Sequence, residues 1–456
     1  MTRTRRIAFR LIAVLLALAL VEAGLRIAGV AYPAWDRPTP GLGEWGVPNA
    51  RGWAVGEARQ FVELNGEGAR DVDHAVAKPP DVHRILVLGD SYAAAFEVRR
   101  EEAFWSVMGD RLGGCDRLSG RRVEVINLSK RGYGTADELL LWRRLGAKYA
   151  PDEVVLAFYT GNDLRNNSPE LKQADRPYFR LDGEALELDA SYAARPDFRF
   201  WVGWPGDLWY GLVRHVRLVQ VARQVRRQIK AALEVRAAMH AERGEGGEPG
   251  IDDGIYLEPR DPAWRAAWAI SERLVRQLRD EVEASGARFV LMTLSTAAQV
   301  HPDPARRHAT AERLGVADLD HPERRFEAWT RAEGIRWVSA VPALRRAAES
   351  TGECVHGFPG PWACQGHWNE RGHRLAGALL ADALCAASAE TDAAPSGAGE
   401  PAPRASEAAA RADEAAARAD EAAARADEAA ARADEAAGTR QAAERSPASM
   451  ERASRP

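Results

Sequence analysis

The 456 residues are enough to bury the core of one large α/β domain with appendages, and a hydrophobic share of 46% argues against disorder throughout. Lys plus Arg number 62 and Asp plus Glu 66, a formal net charge of −4 that argues against a chain built mainly to neutralise phosphates. No nucleic-acid signature accompanies it.

Arg3, Arg5, Arg6 and Arg10 precede an apolar run from Leu11 to Val21, the layout of a secretory signal. The uncharged run is shorter than the ~20 residues a membrane-spanning helix needs, and Glu22 and Arg26 interrupt its continuation towards Val30. Residues 1–34 are therefore expected to form a signal peptide or an N-terminal membrane anchor. The missing A-x-A cleavage site and a Glu22–Arg26 pair four residues apart favour the anchor. Positive charge at the start keeps that end in the cytoplasm and places the remainder outside it, anchored or secreted. Residues 35–80 read as a linker or N-terminal extension.

From 81 to 388 short apolar runs alternate with longer amphipathic ones, the pattern of a parallel sheet with crossover helices. Strands are predicted at His83 to Leu88, Arg122 to Asn127, Glu153 to Phe158, Arg288 to Leu294 and Ile335 to Ser339. A crossover helix opens at Asp261-Pro262 and closes at Gly286.

Residues 165–260 exceed a minimal α/β unit and read as an insertion. Within it, Asp182-Gly183 predicts a hairpin over residues 176 to 188. Trp201, Trp204, Trp209 and Tyr210 cluster beyond it, an aromatic group suited to core or lid packing, to sugar rings or to acyl chains. A helix follows on Leu218, Val221, Val225 and Ile229, with Arg223, Arg226, Arg227 and Lys230 on the remaining surface. Residues 389–456 form an Ala/Glu/Arg-rich low-complexity tail whose EAAARAD repeat sets each repeat Glu four residues before an Arg, as in an exposed helical spacer.

Cys354 and Cys364 flank a short Gly/Pro loop leading into His367, and a bridge there would stiffen it in an oxidising compartment; four reduced thiols are the alternative. No Cys/His spacing indicates zinc.

Four short blocks carry the chemistry. HRILVLG runs into Asp90-Ser91, which places a serine at the carboxyl end of a parallel strand and the start of a helix, where open α/β sheets bind ligands. The next strand leads to Gly132 and Gly134, whose backbone can approach a substrate closely. Asn162 follows the third strand with an amide able to donate to an oxyanion, and His367 lies in the loop of CQGHWNERGH, with an imidazole suited to proton transfer near neutrality. Each block alone is an ordinary cap, turn or loop.

In this order, GDSY, the segment to Gly134, GND and HWNERGH resemble the four blocks of the SGNH or GDSL hydrolases over roughly His83 to Leu384. The resemblance implies a flavodoxin-like three-layer α/β/α sandwich on a parallel sheet of about five strands. It implies Ser91 as nucleophile, His367 as general base, an oxyanion hole from Ser91 N–H, Gly132 N–H and the Asn162 side chain, and no cofactor. The envelope-type segment ending in VEAGLR and the insertion after GND are similar to those of bacterial envelope members.

One departure stands out: the family's usual Asp shortly before the histidine is replaced by Cys364 and Gln365. Gln365 becomes the candidate to orient the imidazole through a neutral hydrogen bond; the alternatives are a backbone carbonyl, which like Gln365 would leave a Ser-His dyad, and a carboxylate from elsewhere, such as Glu353 or Asp163. The reading is an ester hydrolase acting through an acyl-enzyme at Ser91 on an acylated glycan or a lipid. An envelope O-acyltransferase with the same site and a non-catalytic scaffold are the alternatives.

Overall fold

The computed structural model describes residues 2–118, 120–183, 185–241, 251–360 and 363–386. The EAAARAD tail lies outside the described residues. The chain opens with α1 (Arg3–Ile27), a helix long and apolar enough to cross a membrane, exposed except near its end, where Glu22 and Leu25 are half-buried.

Four short strands follow, where sequence alone suggested a linker: β1 (Asp36–Thr39) pairs antiparallel with β2 (Gly43–Gly46), and β3 (Arg51–Val55) with β4 (Arg59–Glu63). A small cluster of Trp35, Ala54, Val62 and Leu64 packs on Ala94 and Phe96, just after the Ser91 turn. Arg70 lies buried against the same segment, donating to the Ala94 and Val98 carbonyls. The 35–80 segment is therefore packed onto the α/β body beside the Ser91 turn.

The main sheet consists of β5 (Val82–Gly89), β6 (Arg122–Asn127) and β7 (Glu153–Tyr159), then, beyond the insertion hairpin β8 (Tyr178–Asp182) and β9 (Ala185–Asp189), of β10 (Arg288–Leu294) and β11 (Trp337–Ser339). Its order is β11-β10-β7-β5-β6 and every pairing is parallel. This is a doubly wound α/β sheet whose direction of winding reverses between β5 and β7, the edge at which such sheets bind ligands.

The helices are α2 (Ser91–Ala94), α3 (Phe104–Leu112), α4 (Thr135–Leu141), α5 (Asp163–Asn166), α6 (Pro196–Val202), α7 (Trp204–His215), α8 (Arg217–Ala241), α9 (Pro262–Ala284), α10 (Pro304–Leu314), α11 (His321–Glu333), α12 (Val341–Thr351) and α13 (Glu370–Ala386). Alternation along the central strands sends Leu86, Leu88, Leu156 and Leu291 to one face, against α4, α9 and α11. Ile85, Val87, Val155 and Val290 face the other, against α3, α12 and α13. Each such side chain, fully buried, stabilises the fold by roughly 1.5–3 kcal/mol, which is why both faces must be covered and three layers result. Disulfides join Cys115 to Cys385 and Cys354 to Cys364.

Candidate active site

Ser91 leaves the carboxyl end of β5 as the first residue of α2, where the Asp90 side chain caps the turn by accepting from Tyr92 N–H at 2.9 Å. His367 reaches it from the loop before α13, and its Nε2 stands 2.8 Å from Ser91 Oγ. Two segments 276 residues apart thus meet at one hydroxyl.

The other side of the imidazole corrects the expectation for Gln365. That side chain is exposed, and the ring is held instead by Glu57, whose Oε1 lies 2.8 Å from His367 Nδ1 while Oε2 accepts the His367 backbone N–H at 2.8 Å. Glu57 sits in the turn between β3 and β4, inside the presumed linker. Neither carboxylate named from sequence takes this place: Glu353 pairs with Arg371, and Asp163 is buried, accepting from Tyr159 N–H at 2.8 Å.

Gly366 makes the close approach possible. It has φ of +77°, and a Cβ there would stand 2.4 Å from a Glu57 oxygen. Its carbonyl accepts from Tyr92 Oη at 3.0 Å and from His356 Nδ1 at 2.6 Å. His356 Nε2 in turn meets Ser295 Oγ at 2.9 Å, which accepts from Trp368 Nε1 at 2.9 Å. The Gly366 carbonyl requires a proton on His356 Nδ1, and in the neutral ring Nε2 then accepts from Ser295 Oγ–H. Burial pushes its pKa down to about 4. It fixes the loop; His367 faces the serine.

Charge around His367 favours its protonated form. Burial opposes that form, but the carboxylate of Glu97, the hydrogen bond and charge of Glu57, and Asp90 outweigh it and hold the imidazole up to about 9. Glu57 is affected in reverse: burial raises its pKa, while the hydrogen bond and charge of His367 bring it below the usual carboxylate range.

Asn162 and Ser91 converge on Asp90, whose Oδ2 accepts from Asn162 Nδ2 at 3.3 Å and from Ser91 Oγ at 3.3 Å. Asn166 Nδ2 ties Asn162 to the glycine loop, reaching Asn162 Oδ1 at 3.1 Å and the Gly132 carbonyl at 3.3 Å. Arg176 also donates to that carbonyl, at 2.5 Å. Gly132 has φ of +81°, the left-handed region open to glycine, so its peptide is held in one orientation from two sides. Ser91, Gly132 and Asn162 therefore belong to one hydrogen-bonded network.

Glu57, Glu97, Tyr92 and His356 were not identified from sequence. Gly56-Glu57-Ala58 reads as an ordinary turn, and only the missing acid near His367 pointed beyond the histidine loop.

No protein-family model and no curated relative matches the chain. Among solved structures it is similar to an acetyl xylan esterase at 12% identity, over 66% of this chain and 97% of that one, with a TM-score of 0.33. It is similar to a GDSL-like lipase from Bacteroides thetaiotaomicron at 11% identity, over 68% and 91% of the two chains, with a TM-score of 0.31. A catalytic mutant of an acetylxylan esterase from Geobacillus stearothermophilus is similar at 14% identity, over 66% and 92%, with a TM-score of 0.32. Likenesses at this level carry no argument about chemistry, which rests on the contacts of Ser91, His367 and Glu57.

Proposed function

We propose that the chain is an envelope serine esterase in which Glu57, His367 and Ser91 act as a triad on carboxylic esters. The observation that carries this reading is the continuous pair of 2.8 Å contacts, Glu57 Oε1 to His367 Nδ1 and His367 Nε2 to Ser91 Oγ, made by three segments remote in sequence. Packing alone has no need of a carboxylate, an imidazole and a hydroxyl in that order.

In the reaction, Ser91 Oγ adds to the ester carbonyl as its proton passes to His367 Nε2. The Asn162 amide and the N–H groups of Gly132 and Ser91 receive the negative oxygen. The alcohol leaves with the proton from His367, and water activated by the same imidazole then releases the acid and restores Ser91. Glu57 keeps Nδ1 protonated and stabilises the imidazolium between the two transfers.

We read the substrate as an acylated glycan: beside the Glu57 turn lies a shallow cleft of about 30 Å³, open to solvent, where the half-buried Trp53 and the guanidinium groups of Arg131 and Arg227 line the wall, groups suited to sugar hydroxyls.

The test is labelling of the purified protein by a fluorophosphonate probe. Labelling of the wild type, its loss in Ser91→Ala and a marked fall in His367→Ala and Glu57→Gln are expected. A folded wild type that does not label would mean a scaffold. Transfer of the acetyl group to an added glycan in preference to water would make the chain an acyltransferase.

A further inference from the structure

α1 does not hang free of the body. Near its end Glu22 accepts the backbone N–H groups of Arg217 and Leu218, each at 3.0 Å, and so caps the start of α8. Arg26 donates to the carbonyl of His215, the last residue of α7. The helix able to cross the membrane is thus joined, one turn from its end, to the junction of α7 and α8.

The two helices leading into that junction carry large apolar side chains in water. Phe200, Trp201, Trp204, Leu208, Trp209 and Leu212 are all more than a third exposed, with Trp204 at 76% and Leu208 at 68%. Trp204, Leu208 and Leu212 recur four residues apart and form one stripe that ends a turn before His215. An α-helix of the twelve residues of α7 is only about 18 Å long, so the whole stripe stays close to the point where α1 leaves the lipid. Tryptophan side chains prefer the zone between hydrocarbon and water, and an amphipathic helix lying there buries its apolar face among acyl chains.

We infer that α6 and α7 lie on the lipid bilayer, with the Trp204, Leu208 and Leu212 stripe inserted into the interface beside the end of α1. The inference is independent of the ester chemistry. It assigns the aromatic cluster to the membrane, not to substrate, and gives the body two attachments in place of a single tether. Rotation about that tether is then restricted. The cleft, lined by Tyr32 and Pro33 just after α1 and by Gln224 and Arg227 of α8, is held at a fixed height above the lipid.

The experiment uses the full chain in vesicles of phosphatidylethanolamine and phosphatidylglycerol. All four native cysteines are in disulfides, so an introduced thiol is labelled alone. An environment-sensitive dye is placed in Trp204→Cys, in Leu208→Cys and, on the exposed face of α10, in Ala309→Cys as control. Blue-shifted emission and loss of about half the intensity with spin-labelled lipid are expected at 204 and 208, and neither at 309. Dyes at 204 and 208 as exposed to aqueous iodide as the one at 309 would overturn the proposal. So would shielding from iodide without quenching by spin-labelled lipid, which would mean a glycan, a second copy or another protein covers the stripe. In Leu212→Cys carrying Trp204→Glu and Leu208→Glu, the lipid quenching of a dye at 212 should fall, while thermal melting stays unchanged because all three sites are on the surface.

Discussion

Glu57 and His367, 310 residues apart, are joined twice: one carboxylate oxygen faces the ring Nδ1 and the other accepts the backbone N–H of the same residue. The acid therefore fixes the imidazole's tautomer and also the peptide that carries it, a stronger constraint than a single contact to the ring.

Replacing Glu57 with Gln keeps the shape but removes the charge that stabilises imidazolium. The turnover of p-nitrophenyl acetate should fall by about 10²–10⁴-fold with circular dichroism unchanged. Gln365→Ala, at an exposed side chain, should stay within about twofold of wild type, as surface changes generally do. Equal losses in the two variants would place the acid's role at Gln365 after all.

His367 must be neutral to accept the serine proton, and its pKa is raised to about 9. The neutral fraction, and with it kcat/KM, should rise as pH climbs towards that value and level off above it. Glu97→Gln removes the leading charge that raises the imidazole, so its profile should move to lower pH, giving higher activity at pH 7. A profile already flat from pH 6, or one shifted upward in the variant, would contradict this.

Gly366 allows no side chain. Its φ of +77° costs an L-residue roughly 1–2 kcal/mol, and a methyl group would press on the Glu57 carboxylate. Gly366→Ala should lower kcat by about tenfold or more through the displaced imidazole, and less steeply in a Glu57→Gln background. Additive losses in a double-mutant cycle would show that the two positions are not coupled.

The Cys354–Cys364 bridge closes the loop that delivers His367. The pair Cys354→Ser and Cys364→Ser should lose about 2–3 kcal/mol in urea unfolding, with kcat falling more than the folded fraction does at moderate denaturant. Strictly parallel losses would show that the bridge serves global stability only.

The main sheet was legible because each of its strands is a run of Val, Ile and Leu between turn residues. The limits differ by at most one residue, except that β11 begins at Trp337, opposite Leu291, and leaves out Ile335 and Arg336. The hairpin at Asp182-Gly183 and the helix opening at Pro262 were legible from turn and cap chemistry. Residues 35–80 were not, because DRPT, GEWG, RGWAV and RQFVE are four or five residues long, mix Gly, Trp and charge, and have no apolar alternation to signal a strand. Ser91, Gly132, Asn162 and His367 could be proposed because each lies beside a strong strand or helix signal. Glu57 lies in a weak hairpin, and its partner becomes visible only when the chain has folded back on itself.

The hairpin that supplies Glu57 precedes the first strand of the sheet, so the acid's place in the chain is independent of the spacing around the histidine. A fragment trimmed to begin at Val82 would keep the serine and the histidine and lack the carboxylate that holds the ring, so any trimming of this chain must spare the residues before the sheet.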